Sequence, residues 1–155
     1  MRVHRRDCRG FTLIELIASI TIIAVLAAAT LPRMTGTQPL AERGYADGIA
    51  ASLRQSRAVA LASGCEVQFT VDAVGYRALQ RAAAGTHCAA AGVWITPVQR
   101  GDGQDLLELQ PTGVALAANS QFVFASDGTV ATAPLTIVVG LQTISVAASG
   151  MVQGP

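Results

Sequence analysis

Few side chains in this 155-residue sequence have the reactivity that catalysis or metal binding requires. The histidines are His4 and His87, and the cysteines are Cys8, Cys65 and Cys88. His87 and Cys88 are adjacent, and adjacent side chains rarely point at each other, so a catalytic cysteine–histidine pair is not expected. The spacing of Cys65, His87 and Cys88 is unlike that of zinc modules, and no glycine-rich phosphate loop occurs. The sequence therefore predicts no catalytic residue, no metal site and no cofactor.

Glu15 is the only charged residue in an apolar run that extends from Phe11 to Leu31. A helix of this length spans about 30 Å, which is the thickness of the hydrocarbon core of a bilayer. A carboxylate in such a segment costs on the order of 2.5–3.5 kcal/mol near the centre and less toward the end, so Glu15 is a candidate functional residue. The residues ahead of the run include Arg2, Arg5, Arg6 and Arg9. By the positive-inside rule, the N-terminus is predicted to face the cytoplasm and the rest of the chain is exported.

Two ordinary interpretations of the apolar run leave Glu15 unexplained. In the first, the run is a secretory signal peptide, and the small residues Ala27, Ala28 and Ala29 form its cleavage site. In the second, it is a signal anchor that stays in the membrane uncut. Neither interpretation requires a carboxylate in the apolar segment.

The residues Arg9-Gly10-Phe11-Thr12-Leu13-Ile14-Glu15 resemble the prepilin peptidase site of type IV pilins and type II secretion pseudopilins. In that family a short basic leader ends in Gly, cleavage exposes a Phe that is N-methylated, and Glu is the fifth mature residue. The resemblance implies a cytoplasmic leader over residues 1–10, cleavage after Gly10, methylation of Phe11 and an assembly role for Glu15.

The same resemblance implies partners and a location. The partners are a prepilin peptidase, the inner membrane, and other pilin or pseudopilin subunits that contact the N-terminal helix over residues 11–31. The chain would cross the inner membrane once with its C-terminal domain in the periplasm, and would then enter a pilus or a pseudopilus.

The pattern after Leu31 indicates an α+β domain. Residues 32–39 are predicted to form a kinked connection, because Pro32 and Pro39 interrupt a helix. Residues 40–63 have helical periodicity, and the period changes to two in the β region, residues 65–155, where we expect about seven short antiparallel strands. The pilin-like fold has this order, with a long N-terminal transmembrane helix packed on antiparallel sheet.

Three segments resemble the GspH/FimT type of minor pseudopilin. Gln121–Thr129 is similar to an F-x-x-D-G-T hairpin of that group, Gln55–Ala60 to its helix end, and Ile144–Val152 to its closing strand. This resemblance implies a minor pilin or pseudopilin subunit. It does not separate a type IV pilus from a type II secretion system, because both use the same leader.

The cysteines differ in where they are expected. Cys8 lies in the leader and would be discarded. Cys65 and Cys88 form an even pair in an exported domain, which is the setting where disulfides persist, so a disulfide between them is expected. The alternative is a pair of buried free thiols.

Nucleic-acid binding is not expected, although the FimT group includes members that bind DNA during uptake. Phosphate contacts need a basic patch, and no basic residue follows Arg100. The acidic residues after it are Asp102, Asp105, Glu108 and Asp127. A DNA-uptake minor pilin therefore remains an alternative only through a patch made of Arg54, Arg57, Arg77 and Arg81.

Overall fold

A computed structural model of the chain describes residues 12–30, 37–84, 87–132 and 134–155. The chain divides into two compact units, which are residues 1–37 and residues 38–155. Among the residues that the structure describes, the first unit contains one helix, and the second contains almost all of a longer helix and every strand.

The two helices are α1 (Leu13–Thr30) and α2 (Thr37–Ser63). The predicted connection over residues 32–39 is too long at its C-terminal end, because α2 begins three residues before the expected Leu40. Pro39 falls in the first turn of α2, where a helix does not use the backbone N–H that proline lacks. At the other end Gly64 has a φ of 66° and its N–H donates to the carbonyl of Ala60 at 3.0 Å, which ends the helix where the sequence predicts.

Ten strands follow α2 in the described part of the chain, and every pairing between them is antiparallel. They are β1 (Val67–Val71), β2 (Gly75–Arg81), β3 (Ala83–Ala84), β4 (His87–Cys88), β5 (Trp94–Pro97), β6 (Leu107–Leu109), β7 (Ser120–Phe124), β8 (Leu135–Val139), β9 (Gln142–Val146) and β10 (Val152–Gln153). Seven of them have three or more residues, which matches the expected number of about seven. The other three, β3, β4 and β10, have two residues each and are too short to show a periodic pattern.

The strands form three sheets. The largest has the order β5-β2-β1-β7. The strands β5 and β6 pair with the same edge of β2: β5 pairs with Leu79–Arg81 and β6 with Gly75–Arg77. A three-stranded sheet has the order β10-β9-β8, and β3 pairs with β4. In the β3–β4 pair, Ala83 pairs with Cys88 and Ala84 with His87.

The core forms where one face of α2 meets the alternate residues of the strands. The buried hydrophobic residues of α2 are Tyr45, Ala46, Ile49, Ala50, Leu53 and Ala60. The strand residues in the same cluster include Val67, Phe69 and Val71 of β1, Phe122 and Phe124 of β7, Ile137 and Val139 of β8, and Ile144 and Val146 of β9. A helix packed on antiparallel sheet is the predicted α+β class, which is confirmed.

Two tyrosines join α2 to β2. The rings of Tyr45 and Tyr76 have centroids 5.6 Å apart, and the Tyr76 hydroxyl donates to Glu108 of β6. Burial, and then the hydrogen bond to Glu108, raise the pKa of Tyr76 to about 12. Burial likewise raises the pKa of Tyr45 to about 12, and its hydroxyl has no hydrogen-bond partner in the described residues. Both side chains are therefore neutral at physiological pH.

Two tight turns contact each other beside α2. In the F-x-x-D-G-T segment, the hydroxyl and the amide of Thr129 both donate to the Asp127 carboxylate. The bond from the hydroxyl and, to a smaller extent, the bond from the amide lower the pKa of that carboxyl. Gly128 and Gly150 have φ values of 76° and 73°. The carbonyl oxygen of Gly128 accepts a hydrogen bond from Nε of Arg57 at 3.2 Å. A Cβ on Gly150 would overlap this same oxygen.

We predict that Gly150→Ala strongly destabilises the domain. Any alanine in the left-handed region costs about 1–2 kcal/mol, and the overlap with the Gly128 backbone adds about 1–3 kcal/mol of overpacking. The matched control is Gly113→Ala, since Gly113 has a φ of 86° and nothing lies within 4 Å of the position that an added Cβ would occupy. Urea unfolding of the full chain in detergent measures both variants, and equal losses of stability would contradict the close approach of the two turns.

Candidate functional site

The first candidate site is the N-terminal segment, of which the structure describes the residues from Thr12 onward. Gly10 and Phe11, the predicted cleavage and methylation residues, lie outside the described residues. Thr12 is the N-cap of α1, because its carbonyl accepts from the amides of Glu15 and Leu16 at 3.1 Å and its hydroxyl from Glu15 at 3.4 Å. Glu15 therefore lies in the first helical turn, where the helix dipole favours a negative charge.

Helix α1 exposes apolar side chains around its circumference. The exposed large ones are Leu13, Ile14, Leu16, Ile17, Ile20, Ile22, Ile23, Val25 and Leu26. Its hydroxyls bond back to its own backbone, from Ser19 to the Glu15 carbonyl at 2.7 Å and from Thr21 to the Ala18 carbonyl at 2.9 Å. A helix that is apolar on all sides requires an apolar environment around it. The carboxylate of Glu15 is the one charged group on this surface.

One finding bears directly on the predicted membrane crossing. In the part of the chain that the structure describes, no helix is both long enough and apolar enough to span a membrane.

The second candidate site is the pair of cysteines in the second unit. The structure joins Cys65 and Cys88 by a disulfide, with their Cα atoms 5.8 Å apart and a sequence separation of 23. Cys65 directly follows the Gly64 cap of α2, and its amide donates to the Ser63 hydroxyl at 3.2 Å. Cys88 lies on β4. The bond therefore ties the end of the helix to the short β3–β4 hairpin.

Arg81 stabilises the segment that carries the disulfide. Its Nε forms an ion pair with Glu66 at 3.1 Å, and its guanidinium carbon lies 4.1 Å from the centre of the Trp94 ring. Another guanidinium nitrogen donates to the carbonyl of Gly92 at 2.6 Å. One side chain on β2 thus connects the residue before β1 to the start of β5. The sequence did not predict this cluster, because Glu66 lies 15 residues before Arg81 and Gly92 lies 11 residues after it, and no local pattern links them.

His87 is a further residue that the sequence pattern did not place in a site. It is exposed on β4, and a side-chain nitrogen of His87 lies within 4.8 Å of both sulfur atoms of the disulfide. The only sequence signal was its adjacency to Cys88. In the oxidised form both sulfurs are bonded to each other, so they are not thiolate ligands for a metal.

Most arginines of the possible nucleic-acid patch form hydrogen bonds or ion pairs with other groups of the domain. Arg57 donates to the Gly128 carbonyl, and Arg77 pairs with Asp72 at 3.1 Å. Arg81 pairs with Glu66. Arg54 is exposed on α2. Three of the four side chains are thus engaged with protein groups, which argues against a patch that binds phosphates.

We expect the disulfide to be present in the exported protein and to stabilise it by about 3 kcal/mol in the chain-entropy model. Intact mass under non-reducing conditions should be lower than that of the dithiol by two hydrogen atoms. The double variant Cys65→Ser, Cys88→Ser should unfold at lower urea concentration, whereas Cys8→Ser, the matched change in the leader, should have no effect. Two alkylatable thiols in the native exported protein would contradict this prediction.

Comparison with known proteins adds one match, and it falls on the N-terminal segment. The family model described as the prokaryotic N-terminal methylation motif matches residues 5–31. The comparisons with curated proteins and with solved structures gave no match. The α+β arrangement of helix and antiparallel sheets is consistent with a pilin-like fold. The matched motif indicates a prepilin of the type IV pilin or pseudopilin kind.

The motif also carries information about partners and location. A prepilin of this kind is processed by prepilin peptidase and assembles with other pilins. Its N-terminus is the part that anchors it to the membrane. The pilin-type class is structural rather than catalytic.

Proposed function

We propose that this chain is a minor pilin or pseudopilin subunit of the GspH/FimT type, which assembles into a type IV pilus or a type II secretion pseudopilus. The observation that carries the proposal is the methylation motif over residues 5–31, which contains Gly10, Phe11 and Glu15. Cleavage after Gly10 removes the basic leader. Phe11 then becomes an N-methylated amino terminus, and Glu15 becomes the fifth residue of the mature chain.

Helix α1 supports an assembly role. Its apolar side chains are exposed on all sides, and its hydroxyl groups are satisfied by its own backbone. Such a surface suits lipid before assembly and the apolar helices of neighbouring subunits afterwards. Contacts between neighbours that repeat head to tail are heterologous, and they generate open helical filaments. In this proposal residues 11–31 lie in the inner membrane first, with residues 38–155 in the periplasm.

The experiment that tests the proposal is intact-mass analysis of the chain from the membrane fraction of cells that contain a prepilin peptidase. The expected mature chain begins at Phe11 and carries one additional methyl group. Cells without the peptidase provide the control, and they should retain the full-length precursor. A soluble exported domain that begins at Thr30, as ordinary signal peptidase cleavage after Ala29 would produce, would contradict the proposal.

A further inference from the structure

Three groups that can bind a metal ion converge next to the end of α2. Ligand atoms of Cys65, His87 and Cys88 all lie within 4.8 Å of one another. The register of the β3–β4 hairpin holds two of them, because Cys88 pairs with Ala83 and His87 with Ala84. Cys65 is held by the cap that follows α2. Backbone structure on both sides therefore maintains the cluster, in addition to the disulfide.

The cluster is open to solvent on one side. Cys65 is buried, Cys88 is partly buried and His87 is exposed. All three line a cavity of about 320 Å³, together with the polar side chains of Ser63 and Gln80. A metal ion can therefore reach the cluster, and there is room for water at a fourth coordination position.

We propose that the reduced form of this chain binds a thiophilic divalent metal ion such as Zn²⁺ through both sulfurs and one ring nitrogen of His87, in competition with the disulfide. Two thiolates and one imidazole, with water as the fourth ligand, form a tetrahedral set that suits zinc. The site goes beyond the assembly role proposed for α1, because no residue of α1 takes part in it.

The chemistry requires a reductant, which is a small dithiol or a dithiol protein. The dithiol attacks the disulfide, so that its own two thiols are oxidised to a disulfide and Cys65 and Cys88 become thiols. Metal binding then displaces the two thiol protons, which are released to solvent. Oxidation of the metal-bound thiolates by a disulfide of the same class reverses the sequence and releases the ion. One pair of sulfurs thus forms either a covalent bond or a metal site.

The test uses the full chain in detergent with Cys8→Ser, so that only the two cysteines of the cluster remain. The protein is reduced with a phosphine, which does not bind the metal strongly, and is then titrated with Co²⁺. We expect one equivalent to produce thiolate-to-cobalt charge transfer and the visible bands of tetrahedral cobalt. Zn²⁺ should remove these bands, and the oxidised chain should not produce them.

Two variants distinguish a built site from simple binding to thiols. His87→Ala should weaken Co²⁺ binding by about tenfold or more, since even loss of a supporting group has an effect of this size. His4→Ala removes the other histidine and should leave the affinity unchanged. Equal affinity of His87→Ala and the parent, or a reduced and folded chain without cobalt bands, would overturn the proposal.

Circular dichroism shows whether the domain remains folded after reduction. If the reduced chain is unfolded without metal, the ion should restore the folded spectrum, because binding to a folded site contributes free energy of folding. Cobalt bands that appear without recovery of the folded spectrum would mean binding to an unfolded chain, and would also overturn the proposal.

Discussion

Gly10→Val should abolish removal of the leader and leave a membrane-bound precursor that is longer by ten residues. A peptidase must bring its catalytic groups close to the backbone at the bond that it cleaves, and a β-branched side chain next to that bond blocks the approach. The expected loss of processing is therefore close to complete. Intact mass of the membrane fraction measures it directly.

The matched control is Gly44→Val on α2. Gly44 is exposed and nothing lies within 4 Å of the position of an added Cβ, so this substitution introduces the same side chain at a site with free space. Its leader should be removed as in the parent. If Gly10→Val still produced mature chain of normal mass, cleavage after Gly10 would be wrong, and the proposed function would lose its basis.

Glu15→Val should abolish incorporation of the chain into filaments while cleavage and membrane insertion continue. After cleavage, Phe11 carries a positive amino terminus, and both this amine and the carboxylate of Glu15 lie in an apolar environment. Each charge alone is unfavourable there, so each needs a partner. Within one chain they are four residues apart in sequence.

In a filament, Glu15 of an incoming subunit can instead pair with the Phe11 amine of its neighbour. This contact forms only at one axial register, so it selects the position of the subunit as well as adding attraction. The alternative is that Glu15 serves only in peptidase recognition or in capping the N-terminus of α1. Its position in the first turn after Thr12 suits a capping role. The two roles differ in outcome, because only the first predicts a processed chain that fails to assemble.

Photo-crosslinking from Ile22, whose side chain is exposed on α1, measures contact with partner subunits. Amine-reactive reagents are unsuitable, because the sequence contains no lysine. The control is Ser19→Val on the same helix: the Ser19 hydroxyl bonds to the Glu15 carbonyl and needs no partner outside the chain. Ser19→Val should retain the crosslinks and Glu15→Val should lose them. Parental crosslink yields in Glu15→Val would show that its charge has no role in assembly.

The features that sequence alone determined are those that depend on local pattern. Periodicity predicted a helix over residues 40–63 and about seven antiparallel strands after it, because a helix and a half-buried strand repeat their apolar residues every 3.6 and every two residues. The N-terminal motif is contiguous, so Gly10, Phe11 and Glu15 were identified as candidate site residues without any knowledge of the fold. The start of α2 was misplaced, because Pro39 was taken as a boundary although the first turn of a helix accepts proline.

Only the tertiary structure decided which distant residues meet. The sequence predicted the Cys65–Cys88 disulfide only from an even pair of cysteines in an exported domain, since spacing does not report the distance between two backbone positions. The sequence analysis predicted no metal site from the spacing of Cys65, His87 and Cys88, whereas the β3–β4 pairing and the cap of α2 place three ligand atoms within 4.8 Å of one another. Long-range proximity results from packing of the second unit around one core, and no local repeat encodes it.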